Sequence, residues 1–384
     1  MTNLMKAANQ WNTRPDDERF ESIEEMIRVT KDYRMNSRTA KVQSEDLTIA
    51  SEGSDLYIIG KTGSKALLTH FSFSQIAQRA SAPPGYMRSL PSDMAMACLN
   101  HGLRNAEKEE TSLLLAKEDD GGFVLRAATS ERYTRIWNHE VLERVSTIGD
   151  CWRAPPARPV RNGQAGTRKA TEEDVLRLGS HSTLGIKVGD DIAPAGLYAS
   201  DRDMFVFMVD DEKRIEVEGA SLCRGFFLWN SEVGQKSLGI QTFLFDAVCG
   251  NHIVWGARNV SELRIRHSGE ADSKWFREVS CELVKYADSS TSDDVMRIES
   301  ARTFRIGNDR MSVVDALFGK KTLLLSKGTV DEAYSIAERT TRYGDPRSAW
   351  AMAQGITELS QQSTHTDERV KLDRAAGKVL EMAF

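Results

Sequence analysis

The sequence predicts an α+β protein, and three observations predict it. Apolar residues at helical spacing occur near both ends of the chain, SLLLAKEDDGGFVLRAAT carries the signature of a hairpin, and seven short strand-like runs crowd into residues 194–268. Strands and helices segregated along a chain pack as antiparallel sheets with helices against them, rather than as alternating βαβ units. The expected layout is an N-terminal α+β region over 1–150, a basic loop or linker containing Pro and Gly over 151–172, a central, largely antiparallel β region over 173–270, and a helical C-terminal region over 271–384 that packs on the sheet.

Pro15, followed by Asp16, Asp17 and Glu18, opens a helix, because proline fits a first helical turn and acids suit its positive end. Phe20, Ile23 and Ile27 then give that helix a buried face. From about Thr39 short segments read as a β-meander, with LYII and ALLTHF between SEGSD and GKTGSK. Two helices follow, broken at SAPPGY and at Pro91. In the hairpin, the glycines of DDGG supply the positive φ that a tight turn requires. SERYTRIWNHEVLERV then passes through a loop into another helix.

RAPPARPVRNGQAGTRKA, residues 153–170, has three prolines, two glycines, five basic residues and no acid. Such a stretch has no apolar face to bury and reads as a mobile loop or linker. The strand candidates GLYAS, MFVFMVD, RIEVEG, CRGFFLWN, IQTFLF, HIVWGA and ELRIRH come next, separated by DDEK, NSEVGQKS and similar turns. Phe276, Val279, Leu283 and Tyr286 form a helical stripe, ADSSTSDD interrupts it, and the remainder is helical. In that remainder Trp350, Ile356 and Leu359, then Val370, Leu372, Ala376 and Val379, form a stripe that serves either the core or another subunit.

A chain of 384 residues, 40% hydrophobic and 28% charged, is long enough for two or three domains and has the composition of a soluble globular protein. Its net charge of −5 argues against a wholly basic nucleic-acid binder but permits a local basic stripe. The polar start MTNLMKAANQWNTRP does not read as a signal peptide, and no apolar run is long enough to span a membrane. The scattered, odd set of Cys98, Cys151, Cys223, Cys249 and Cys281 suggests reduced thiols. Together these features predict a cytoplasmic protein without membrane contact.

Four constellations carry possible chemistry. Cys249, His252, His267 and Cys281 assemble formally into a zinc quartet, but a zinc signature has two close pairs and here only the first is close. Core packing is the commoner fate of such residues. GKT at 60–62 lacks the upstream glycine of a phosphate-binding loop, since Asp55 occupies that place. Asp201 and Asp203 in SDRDMF lie at alternate positions, where strand geometry would put both on one face for a magnesium ion, with Glu232 and Asp246 further along. The alternative is a polar turn stabilised by local hydrogen bonds. The fourth is the one place that concentrates cations with aromatic rings: Arg132, Tyr133, Arg135 and Trp137, then Arg153, Arg158, Arg161, Arg168 and Lys169. Single-stranded nucleic acid is held by cations along its backbone and rings beneath its bases. The structural alternative is that Tyr133 and Trp137 anchor a helix while the loop is solvated.

ATSERYTRIWNHEVLERV, SDRDMFVFMVDD, RGFFLWNSEVGQKSLGIQTFLFDAVCGNHIVWG and YGDPRSAWAMAQGITEL resemble the phage/plasmid-like family named domain of unknown function 932, from about residue 125 onward. NSEVG followed by CGN is the strongest part, and His252 stands where that family often has glycine. The resemblance implies a mobile-element setting and carries no catalytic residue. A more distant likeness to phage single-strand annealing proteins rests on the hairpin and helix of SLLLAKEDDGGFVLRAATSERYTRIWNHEVLERV. It implies a positive groove and assembly as rings or filaments.

The expectation is therefore a homo-oligomeric protein that binds single-stranded DNA and promotes annealing or recombination, without catalytic residues or cofactors. Arg132, Tyr133, Arg135, Trp137 and the basic loop would form its contact surface. Two alternatives stand beside it: an interaction protein that counters a host defence factor, and a magnesium-dependent enzyme acting on nucleic acid or nucleotides through Asp201 and Asp203.

Overall fold

The hydroxyl of Ser22 accepts the Glu25 N–H, one of the donors that a helix N-terminus leaves unpaired. That cap starts α1 (Ile23–Met35), which buries Met26 and Thr30. Phe20 is also buried, but it precedes the helix on extended chain and donates its N–H to Leu197 O, so the helical reading of Phe20 is corrected. The computed structural model describes residues 19–60, 63–106, 109–118, 121–155, 157–159, 168–178, 186–194, 196–200, 202–217, 220–235, 237–246, 251–253, 263–265, 271–362 and 366–384. The expected helix start at Pro15 to Glu18 lies outside them.

The first sheet takes strands from both sides of a helical pair. β1 (Ser37–Gln43), β2 (Thr48–Glu52), β3 (Asp55–Ile59) and β4 (Lys65–Leu68) lead into α2 (His70–Arg79), the short α3 (Pro84–Met87) and α4 (Ser92–Asn105). The hairpin of β5 (Glu110–Lys117) and β6 (Phe123–Ser130) completes a six-stranded order β1-β5-β6-β4-β3-β2. Ile76, Leu99 and Leu103 from the helices meet Ile49, Leu113 and Leu125 from the sheet in one core. Gly121 takes φ +85 in the hairpin turn, as DDGG leads one to expect. The β5–β6 register slips between Leu114 and Leu115, which leaves Arg126 as the extra residue of a bulge.

From β6 the chain crosses to a second sheet through α5 (Asn138–Val145). Part of the segment expected to be a loop is strand: β7 (Arg158–Pro159) and β8 (Arg168–Lys169) flank β9 (Asp191–Ala193), with α6 (Glu172–Leu178) between β8 and β9 in sequence. β10 (Leu197–Ala199), β11 (Met204–Val217), β12 (Ala220–Asn230), β13 (Leu238–Asp246), β14 (Asn251–Ile253) and β15 (Leu263–Ile265) form the central sheet. Its order is β10-β11-β12-β13-β14 with β15 also on β13, antiparallel throughout. MFVFMVD and RIEVEG are one strand, not two. DDEK makes an irregularity in β11, where Asp210 Oδ1 accepts the Lys213 N–H, and pairing with β12 resumes at Ile215.

Strand alternation gives this sheet two buried faces. Met204, Val206 and Met208 join Phe226 and Leu228 on one, while Phe205, Phe207 and Val209 join Phe227 and Trp229 on the other. α7 (Ala271–Asp288) lays Val279, Leu283 and Tyr286 on the first face, as its stripe predicts. After the interruption come α8 (Ser292–Thr303), α9 (Arg310–Gly319), α10 (Lys327–Arg339), α11 (Ala349–Gln362) and α12 (Thr366–Leu380). Trp350, Ile356, Leu359, Leu372, Ala376 and Val379 are buried in the core these helices share with Ile215, Leu222 and Leu244 of the sheet, so that stripe belongs to the fold. The side chain of Val370 lies outside the described residues. Among the described residues no helix is long and apolar enough to cross a membrane.

Gly239 faces Trp229 across the β12–β13 ladder, and a Cβ there would lie 2.1 Å from Trp229 Cζ2. The indole is fully buried. Gly239→Ala is expected to destabilise the protein by about 1–3 kcal/mol through overpacking and to weaken the near-UV circular dichroism of the indoles. Urea unfolding and the near-UV spectrum test this; an unchanged midpoint would mean the sheet opens there without strain.

Candidate functional site

The SERYTRIW segment folds back at once: the Tyr133 N–H bonds Ser130 O, and the chain then runs without helix or strand to Trp137, the N-cap residue of α5. What holds it is the NSEVG turn between β12 and β13. Tyr133 donates its hydroxyl to Ser231 O at 2.7 Å, and Arg135 donates to Glu232 O. Burial pushes the Tyr133 phenol well above its ordinary range and lowers the Arg135 guanidinium.

Glu232 is the centre of this arrangement. Its side chain is 1% exposed; Oε2 accepts from Arg126 at 3.0 Å and Oε1 accepts the Asn138 N–H at 2.9 Å. The carboxylate therefore pairs with the bulge arginine of the first sheet and also supplies an acceptor at the N-terminus of α5. Asn230 adds bonds from its amide to Ile136 O and Asn138 Oδ1. Arg126 in turn reaches Ser37 Oγ at the start of β1. One motif thus ties the hairpin, α5 and the central sheet together.

Cations and rings interleave around this node. Arg34, exposed at the end of α1, lies 4.2 Å from the centre of the half-buried Trp137 ring. Arg135 lies 5.6 Å from the Tyr133 ring and 5.7 Å from that of Trp137. Arg132 is exposed beside them. The structure therefore brings Arg132, Tyr133, Arg135 and Trp137 together, with Tyr133 and Arg135 holding the turn while Arg132 faces solvent.

The basic segment finds its acids elsewhere in the fold. Arg153 pairs with Glu212 at 2.6 Å, Arg168 with Asp174 at 2.6 Å and Glu21 at 2.9 Å, and Lys169 with Asp191 at 2.7 Å. The Arg168 guanidinium and the Thr171 N–H hold Asp174 well below the usual carboxylate range. The Arg158 side chain and all of Arg161 lie outside the described residues.

A polar cleft of about 580 Å³ opens beside Tyr133, between the end of α2 and the end of β6, with Gln78, Arg79, Ser81, Ser130 and Gly234 in its walls. An apolar cavity of about 550 Å³ lies in the first sheet against Val42, Ile58, Leu113 and Phe123. Lys41 and Lys65 also line that cavity, but they are engaged by Glu110 and Glu52.

The carboxylate and thiol candidates disperse. Asp203 is wholly buried and accepts from the Ser200 hydroxyl at 3.1 Å, the local bonding of a polar turn, and Asp201 lies outside the described residues. Cys281 is exposed on α7; Cys249, His267 and the side chain of His252 lie outside the described residues. β14 pairs with β13 through His252↔Phe245, so the histidine belongs to the strand following a β-connection. Among the described residues no group of three or more His, Cys, Asp or Glu is placed to hold a metal ion.

The residues that sequence reasoning passed over are Arg126, Arg79 and the central role of Glu232. A buried ion pair leaves no local trace, because arginine and glutamate are overwhelmingly surface residues. The available signal was NSEVG itself.

No curated protein and no solved structure matches the chain significantly. A family model described as a domain of unknown function matches residues 183–376, which spans most of the central sheet and the C-terminal helices and includes NSEVG. That match covers half of the chain, which places the protein in the family of domain of unknown function 932.

Proposed function

We propose that the protein binds single-stranded DNA, as part of strand annealing or recombination in a mobile genetic element. The observation that carries this reading is the interleaving of guanidinium groups and rings at Arg34, Trp137, Arg135 and Tyr133, with the exposed Arg132 at its edge and the polar cleft beside it. Cations on the phosphates and rings near the bases are what a flexible single strand requires. Tyr133 and Arg135 shape the surface while Arg34 and Arg132 face the strand. Arg153, Arg158, Arg161, Arg168 and Lys169 extend the contact; exposed ion pairs such as Arg153–Glu212 contribute little net stability and exchange readily for phosphate. Assembly as a homo-oligomer would multiply weak contacts into useful affinity.

Fluorescence anisotropy of labelled single-stranded and duplex DNA across a salt series, with and without magnesium, tests the reading. Each phosphate contact on a single strand contributes about 0.7 to the slope of log affinity against log salt, so replacing the five loop cations with serine should flatten the slope by up to about 3.5. An unchanged slope removes the loop from the interface. No binding at low salt sinks the proposal and favours a protein partner, for which Met311, Phe318 and Leu324 are exposed apolar side chains on and after α9. Magnesium-dependent loss of the labelled strand would instead favour an enzyme.

A further inference from the structure

Arg79, the last residue of α2, stands out among the cations of the fold. Its side chain is only 14% exposed, and the one acid paired with it among the described residues, Glu109, lies 4.0 Å away on a side chain that is 59% exposed. That is the outer limit of an ion pair, and a solvated glutamate can swing aside at little cost. Arg79 Nε is buried with no hydrogen-bond partner among the described residues. A guanidinium in this position has left water without receiving a close counter-charge from the described residues, which is the condition under which an incoming anion gains most.

The surroundings suit an oxyanion. Arg79 lines the polar cleft together with Gln78, Ser81 and Ser130, and with Glu109, the carboxylate an incoming anion would displace. Several other polar groups there are already committed: Gln75 bonds Val233 O and the Ala128 N–H, Tyr133 bonds Ser231 O, and Ser44 bonds Glu109 O. Three of the carbonyls at the end of α2 are paired: Ile76 O, Ala77 O and Gln78 O accept from Ala80, Ala82 and Ser81. Ser81 itself takes φ +55, a left-handed conformation that costs a residue with a Cβ and usually falls to glycine or asparagine at a helix end. Ser81 is among the residues that line the cleft.

We infer that the cleft between α2 and β6 is a binding site for a phosphate-class oxyanion, with Arg79 as its charged anchor and Ser81, Ser130 and Gln78 as neutral donors. The inference rests on the single-strand reading for one source of that anion, a backbone phosphate of DNA passing Arg132 and Tyr133. A free phosphate or phosphorylated small molecule has the same chemistry.

Thermal unfolding in inorganic phosphate, against chloride at equal ionic strength, separates these cases when combined with anisotropy on fluorescein-labelled oligothymidylate. Phosphate should raise the wild-type midpoint by roughly 2–4 °C and leave Arg79→Gln unmoved. Arg79→Gln should also lose roughly tenfold in oligothymidylate affinity, the worth of one charge-assisted contact. Ser81→Asp keeps Arg79 and sets a carboxylate at the same cleft, so it should abolish the phosphate response even if Arg79→Gln fails to fold. A phosphate response equal in wild type and variants overturns the site. So does wild-type affinity for oligothymidylate in Arg79→Gln combined with no phosphate response in any form, and in that case the single-strand reading survives. A phosphate response specific to wild type without oligothymidylate binding supports the site with a free phosphate as its source and sinks the single-strand reading.

Discussion

Glu232→Ala is expected to lower the free energy of unfolding by about 3–5 kcal/mol, the cost of removing one partner from a buried ion pair. The loss has two parts. Arg126, itself 4% exposed, would keep its charge in an interior that no longer offers the carboxylate, and the Asn138 N–H at the start of α5 would lose its acceptor. Glu232→Gln tests the division between them. A glutamine oxygen can still accept from Asn138, but its amide cannot neutralise Arg126, so most of the destabilisation should persist. The double variant Arg126→Met, Glu232→Leu removes both charges and should recover more than half of the loss, leaving chiefly the uncapped helix. Urea unfolding of the three variants measures this. A loss below about 1 kcal/mol for Glu232→Ala would show that water reaches the pair in solution.

The same residue shows where sequence reading succeeds and where it stops. The hairpin was legible because its information is local: apolar runs on either side of DDGG set β5 and β6, and Gly121 adopts the positive φ its turn needs. The stripes of α7 and of the C-terminal helices were legible for the same reason, since helical periodicity reports which face is buried. DDEK misled because Asp210 does make a turn-like local bond, whereas reversal of the chain depends on the partner strand. β12 is long enough to pair on both sides of the irregularity, so the strand continues. Glu232 was visible as a carboxylate and NSEVG as a motif, but their partners Arg126 and Asn138 lie about a hundred residues away in sequence. The cations of residues 153–170 look unopposed for an analogous reason: Glu21, Asp174, Asp191 and Glu212, which meet them, all lie outside that stretch. Charge balance in this protein is a property of the fold, and composition of a segment does not report it.

Arg224→Ala should be about as costly as Glu232→Ala, for a different physical reason. Arg224 stands on β12, 5% exposed, opposite Asp210 and Leu244 in the ladders on either side. Its guanidinium makes four hydrogen bonds: Nε to Asp294 at 2.9 Å, one terminal nitrogen to Tyr286 O and Ser289 O, and the other to Ser290 O, this last nitrogen also lying 2.8 Å from the Asp294 carboxylate. Those carbonyls lie in the last turn of α7 and just beyond it, where a positive charge complements the helix dipole, and Asp294 lies in the first turn of α8. The residue therefore fastens the α7–α8 junction to the sheet and closes the gap that ADSSTSDD makes between the helices. Removing it leaves Ser289 O, Ser290 O and the Asp294 carboxylate without this donor and Tyr286 O with the Ser289 hydroxyl alone, an expected loss of about 3–5 kcal/mol. Arg224→Lys keeps the charge, but three donors on one nitrogen cannot span this arc, so it should recover less than half. Urea unfolding gives the stabilities, and hydrogen exchange locates the damage: amides at the end of α7 and the start of α8 should lose protection before those of the first sheet. Full recovery by lysine would mean that charge alone, and not the planar fork, holds the junction.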